Sequence, residues 1–253
     1  VVDSAAVPTS SAAGGERVTL GQPTGFDALE QSLLDVGAGR TPARATGSDE
    51  HVLFVLEGRG TLHLAGESHE LAPESGAYLA PGEEYALEGD PDAPLRVIAV
   101  RIPPRDGENG TVEPGPRSIV RRVEDQEAQD ATAAREFRVI ADPSSGLSRA
   151  THFVGYIPVT RAPDHFHTYD EVIYVLDGHG AFHVGDASTP VHPGSCIQLP
   201  AREVHCLENT GPGTMRVVAV FRPAGSPSAA YYPDGTPAYV QASSPAGPDP
   251  TAS

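Results

Sequence analysis

No stretch of 18 consecutive apolar residues occurs in this 253-residue chain, so none of it is long enough to cross a bilayer as a helix. A charged-then-apolar leader is also missing from its start, which leaves secretion unsupported and makes the cytoplasm the expected compartment. Basic residues are scarce: 17 Lys and Arg face 34 Asp and Glu, a formal net charge of −17. That balance argues against nucleic acid or an anionic membrane as partner and favours solubility. The two cysteines, Cys196 and Cys206, are too few for a disulfide framework. They flank a predicted hairpin, so a cross-strand bridge and a pair of reduced thiols both remain open. Good helical stretches are few, whereas 25 prolines and 27 glycines punctuate the chain, the pattern of many short strands joined by turns.

What is present, above all, is a repeat with a period of 120 residues. VLFVLEGRGTLHL (52–64) lies over VIYVLDGHGAFHV (172–184), and LEGDPDAPLRVIAVRIP (87–103) lies over LENTGPGTMRVVAVFRP (207–223). Between residues 50–103 and 170–223, 18 of 54 positions are identical without a gap, which marks an internal duplication. Each unit reads as all-β: apolar, β-branched-rich runs stop at glycine, and alternation follows. The repeat also corrects a local impression. DALEQSLLDVGAG (27–39) has helical spacing of Leu29, Leu33 and Leu34, but its partner THFVGYIPV (151–159) is strand-like, so Ser32–Val36 is assigned to a strand.

The expected organisation is a disordered start (1–15), a first unit (16–118), a linker with helical character (119–138), a second unit (139–232) and a Pro/Ser/Ala-rich tail (233–253). The helix is expected over RRVEDQEAQDATAAREF (121–137), although that segment is polar nearly all round. Disorder is expected again beyond about residue 240. Before that, SAAYYPDGTPAY (228–239) keeps three tyrosines and is expected to pack outside a barrel or across an interface.

The chemistry concentrates in HFHTYDEVIYVLDG (165–178). His165 and His167 are two apart, so in a strand both imidazoles face one side. Glu171 follows, and His205 appears after a proline turn in GSCIQLPAREVHCLEN (194–209). Three imidazoles and a carboxylate form a borderline N/O set suited to one divalent Fe, Mn, Ni, Co, Cu or Zn ion.

HxHxxxE followed by six residues and Gly178 resembles the first motif of the cupin superfamily, and Gly194, Pro200, His205 and Asn209 resemble its second. With the repeat, the resemblance spans about 200 residues of the chain. It implies two tandem antiparallel jelly-roll barrels, a bicupin, with the metal inside the second. Two positions depart from the pattern: Arg202 stands where the second motif has glycine, and the glycine six residues before His165 is absent.

Subtracting 120 places Ala45 under His165, Gly47 under His167, His51 under Glu171 and Tyr85 under His205. One imidazole does not hold a metal, so the first barrel is expected to be metal-free, either structural or a plain pocket. His183 has His63 beneath it and is expected to face outward, and Arg216 repeats Arg96 as a structural residue. Tyr169, Asp170, His179, Gln198, Arg202 and Cys206 belong to the second unit alone. Of these, Tyr169 and Arg202 are the candidates for contact with the ligands or the substrate, Arg202 as a cation for an anionic molecule. Cys206 is expected to point away from the metal by alternation.

The leading functional expectation is a metal-dependent oxidoreductase, a dioxygenase or oxidase acting on a small oxygenated organic molecule. This follows from the likeness to three-histidine, one-glutamate cupins such as the quercetinase and oxalate-oxidising groups. A non-redox isomerase, lyase or aminohydrolase is the alternative. The ureidoglycine aminohydrolases share the bicupin layout, but their ExHxxxH order differs from HxHxxxE here. A binding or sensor protein without turnover is a third reading. Cupin barrels commonly pair, which leaves a homodimer or larger ring open.

Overall fold

Alternation along a strand decides which way each side chain faces, and the central strands of this protein leave neither face to water. In Glu50–Glu57, Val52 and Phe54 join one buried apolar cluster while Leu53 and Val55 join another. In Asp170–Asp177, Val172 and Tyr174 join the same first cluster, and Ile173 and Val175 join a third. The described residues therefore form three cores: one inside each barrel and one between the barrels. The computed structural model describes residues 1–7, 9–11, 17–20, 28–105 and 114–238.

Each barrel faces a large antiparallel sheet of seven strands with a smaller sheet, of four strands in the first unit and three in the second. The duplication reaches the register. Val52 pairs with Val100 as Val172 pairs with Val220, and Glu50–Glu57 runs between Ser75–Leu79 and Leu95–Ile102 as Asp170–Asp177 runs between Ser195–Leu199 and Met215–Arg222. Gly58 ends its strand with φ +78°, where an added Cβ would lie 1.9 Å from the Pro94 carbonyl oxygen, so only glycine fits this turn. Glu30–Val36 is a strand, which agrees with the reading of Ser32–Val36. The described residues include no helix long and apolar enough to cross a membrane.

The helix expected over 121–137 is not formed. Val120–Arg122 is a strand paired with Ser75–Ala77 of the first barrel, and Ala128–Asp130 forms a hairpin with Glu136–Arg138 in the second. Without an apolar stripe, a helix here has nothing to bury, whereas an edge strand needs only backbone hydrogen bonds. Residues 119–138 are consequently part of both barrels and not a linker.

The start of the chain obeys the same rule. Val2 and Asp3, in the segment expected to be disordered, pair with Cys196 and Ser195 on the second barrel. Residues 12–15 and 239–253 lie outside the described residues. The two additions correspond: Ser4 N–H donates to Gly194 O as Val123 N–H donates to Glu74 O, at 3.0 and 2.9 Å. Each unit thus lends its first strand to the other barrel.

Buried polar contacts tie the same boundary. Glu50 accepts hydrogen bonds from Tyr78 Oη (2.9 Å), Ser148 N (2.9 Å), Ser148 Oγ (2.8 Å) and Arg149 N (3.0 Å), joining the first barrel to the second unit. Its counterpart Asp170 meets Arg105 at 2.8 Å in the opposite sense. Cys196 and Cys206 are free and buried, on strands of different sheets, and Cys206 Sγ bonds Ala162 O.

Two stability predictions follow from this boundary. Glu50→Ala strands several buried donors and is expected to cost at least about 3 kcal/mol, read from the midpoint of denaturant unfolding. His152, buried against the edge of the Phe54 ring, has its pKa lowered to about 3 by burial. The unfolded chain takes up this proton below about pH 6.5 and the folded chain does not, so stability falls as pH drops from 6.5 towards 3, by roughly 2 kcal/mol at pH 5. His152→Leu should therefore lose less thermal stability than the wild type between pH 7.5 and pH 5.

Candidate metal centre

The segment that carries the first two imidazoles is held at each residue. His165 exchanges backbone hydrogen bonds with His205 at 3.0 and 2.8 Å, Phe166 exchanges them with Tyr231, and the His167 carbonyl accepts from Arg202 N at 2.7 Å. Extended geometry then sends His165 and His167 inward while Phe166 stacks on Tyr231, with centroids 5.7 Å apart. The segment 228–239 is expected to pack outside a barrel or across an interface; instead its first residues join the site, with Ala230 lining the cavity and Ala229 O facing His167 Nδ1.

His165, His167 and His205 are all buried, and their ligand atoms lie within 4.8 Å of one another. Each Nδ1 sits 2.9 Å from a backbone carbonyl: Pro163, Ala229 and Glu203 respectively. A carbonyl only accepts, so each Nδ1 carries the proton and each Nε2 keeps a lone pair for the cavity. Burial favours the neutral rings. It lowers His167 to about 4 and His205 well below its ordinary value, with the other two imidazoles adding to the effect on His205. Three neutral nitrogen donors locked in one tautomer fit a divalent transition metal.

Glu171 lines the same cavity but stands outside the three-imidazole cluster. Burial raises its carboxyl to about 8, opposed by the Arg135 guanidinium. Tyr169 is buried with its ring stacked between His167 (4.6 Å) and Phe221 (3.9 Å). Burial, reinforced by Glu171, keeps its phenol protonated, and the hydroxyl faces Pro227 O at 3.5 Å. Tyr169 is thus at the site.

Arg202 is not brought into it. Its exposed side chain lies outside the cavity wall, and its contribution is the backbone N–H that holds His167, from a left-handed conformation with φ +68°. The cation lining the cavity is Arg135, which the sequence reading missed. It lies in the segment read as a helical linker, and the ungapped repeat comparison began only at residue 50.

Other expectations are met by structural roles. His183 bonds Glu208 at 2.8 Å on a partly exposed face, as His63 bonds Glu88 at 2.7 Å. Arg216 bridges Glu74 and Asp177. Asn209 Nδ2 donates to Ile157 O and Gly213 O, fixing the turn after the ligand strand. Cys206 turns away from the imidazoles towards Ala162.

The first barrel has no counterpart to this centre among the described residues. Its interior is filled by Leu34, Leu53, Val55, Leu62, Tyr85 and Leu87, so the position of His205 holds an aromatic ring in an apolar core. A surface depression of about 1000 Å³ runs along Leu64–Ser68 and Gly82–Ala86 and gathers no set of metal donors among the described residues.

The Cupin domain family matches residues 152–221, and the AraC-like ligand binding domain family matches residues 39–141. Among solved structures, a putative glyoxylate-induced protein from Pseudomonas aeruginosa superposes with TM-score 0.70 at 20% identity, covering 84% of this chain and 83% of that one. Oxalate decarboxylase OxdC of Bacillus subtilis, as a mutant, gives 0.70 at 12% identity (88% and 77% covered), and YlbA of Escherichia coli gives 0.71 at 12% (87% and 89%). An uncharacterized protein of Methanocaldococcus jannaschii, MJ1618, is 26% identical over 81 residues, 32% of this chain and 64% of its own length. The chain belongs to the cupin superfamily and contains two cupin domains, of which the second carries a three-histidine group able to hold a metal.

Replacing His165 by Ala is expected to lower metal affinity at least about tenfold, whereas His51→Ala leaves it unchanged, as read by elemental analysis after dialysis against limiting metal. Equal losses would contradict the assignment of the site to the second barrel.

Proposed function

We propose that the chain is a metal-dependent enzyme, an oxidoreductase of dioxygenase or oxidase type, acting on a small oxygenated organic molecule in its second barrel. The observation that carries this reading is the convergence of three tautomer-locked imidazoles, with Glu171 beside them, on one buried cavity. In this reading His165, His167 and His205 bind one divalent ion and Glu171 completes the set. A redox-active ion held by such donors supplies electron transfer and Lewis acidity to whatever occupies its remaining positions. Phe137, Phe153, Ile173, Leu207 and Val217 line the cavity and exclude water. Tyr169 fixes the plane of His167 by stacking and retains its phenolic proton.

One observation favours a second reading. Glu171 lies outside the imidazole cluster with its carboxyl raised to about 8, suited to hold and move a proton. If it serves as a general acid or base and not as a ligand, the chemistry is that of an isomerase, lyase or hydrolase without electron transfer. A ligand sensor is less well supported, because the barrel matched by the AraC-like family has an apolar, filled interior.

Metal analysis followed by oxygen-electrode assays with Fe, Mn, Ni, Cu and Co, over enediols, flavonols and short carboxylates, separates these readings. Oxygen uptake with one metal and one substrate group is expected. Product formed without oxygen uptake under every metal would replace the oxidoreductase reading with the second one.

A further inference from the structure

Part of the cavity wall is a turn, Ala131–Arg135, at the tip of the hairpin between Ala128–Asp130 and Glu136–Ala141. Two of its residues line the cavity and carry polar atoms that are shut off from solvent without a hydrogen-bond partner: Thr132 Oγ1 and Arg135 Nε. Arg135 Nη2 is anchored on the Leu207 carbonyl, so the guanidinium is positioned and only part of its donor set is used. Leaving a buried hydroxyl and a buried N–H unpaired costs about 1–3 kcal/mol each, more for the charged group. Ala133 and Ala134 both adopt positive φ, 61° and 55°, so the backbone strain of the turn is concentrated between these two residues.

We propose that Thr132 and Arg135 form an anion subsite that receives the carboxylate of a small monocarboxylic substrate beside the metal. The chemistry follows from the donors. The Nε edge of a guanidinium matches the two oxygens of a planar carboxylate, and the threonine hydroxyl can donate to one of them. Size points the same way: the cavity offers about 100 Å³, below the roughly 300–1,000 Å³ of pockets for drug-sized ligands, which suits a small molecule. Arg135 is the one Lys or Arg lining the cavity among the described residues, so a second anionic group on the ligand has no further guanidinium or ammonium partner there.

The internal copy separates this role from a structural one. By strand register Asp130 pairs with Glu136 as Ser11 pairs with Arg17. The five residues between the first pair read Ala-Thr-Ala-Ala-Arg, and those between the second read Ala-Ala-Gly-Gly-Glu. The hydroxyl and the cation therefore occur only in the unit that has the imidazoles.

This inference deepens the reading of the second barrel as a metal-dependent catalytic site and rests on it, but its test needs no turnover. Zinc-loaded protein, which is redox-inert, is titrated calorimetrically with glycolate, with its neutral isostere glycolamide and with inorganic phosphate. Glycolate is expected to bind, and the other two to bind at least about tenfold more weakly. Arg135→Gln should weaken glycolate about 10- to 100-fold, Arg135→Lys should restore part of that loss, and Thr132→Val should weaken it by a smaller factor. Zinc content should stay at the wild-type level in all three variants. Equal binding of glycolate and glycolamide, unchanged affinity in Arg135→Gln, or no glycolate binding by the wild type would each overturn the proposal. Tighter binding of phosphate than of glycolate would overturn the carboxylate assignment. Loss of zinc together with glycolate binding in Arg135→Gln would assign Arg135 a structural role instead. Failure of the oxygen assays leaves all these outcomes readable, because binding to the zinc form involves no electron transfer.

Discussion

Both large sheets are apolar on their outer as well as their inner faces, and the outer faces can be hidden only against each other. Val52, Phe54, Ile98 and Val100 of one unit meet Val172, Tyr174, Val218 and Val220 of the other in a single core. Neither barrel would be soluble alone with that surface exposed. The exchange of first strands and the carboxylate contacts of Glu50 and Asp170 reinforce the same boundary. The first barrel is retained as the structural half of one folding unit, whatever it has lost in chemistry.

Freedom from chemistry also explains how the two interiors diverged. Inside the first barrel, Tyr85 and a set of leucines and valines form an apolar core, which adds buried apolar area. Inside the second, three imidazoles and a carboxylate are kept from water, an arrangement that costs stability unless the groups are paired. The protein pairs one side of each imidazole with a backbone carbonyl and leaves the other side open. A donor set arranged this way is stable enough to fold and poised to accept a cation. Arg135 and Thr132 extend the same logic to another part of the cavity wall.

Much of this was legible in the sequence because duplication and alternation leave direct marks. The repeat fixed the strand at Ser32–Val36 against its helical spacing, and the two-residue spacing of His165 and His167 placed both rings on one side. The contrast with Ala45, Gly47 and Tyr85 pointed to the second barrel as the one with the three-histidine group. Edge strands left weaker marks. Val2–Asp3 and Val120–Arg122 are held by backbone bonds that demand no side-chain pattern, so one read as disorder and the other as part of a polar helix. Arg135 was hidden with them. Arg202 failed for a different reason: adjacency in sequence to a ligand strand does not set the direction of a side chain on a left-handed turn. Its useful group is the backbone N–H.

The most direct test of the account is anomalous diffraction from crystals of the metal-loaded protein, recorded at the absorption edge of the bound element. The account predicts one strong peak per chain, within bonding distance of Nε2 of His165, His167 and His205, and none inside the first barrel. A peak next to His51, or none among the three imidazoles at full metal loading, would contradict it.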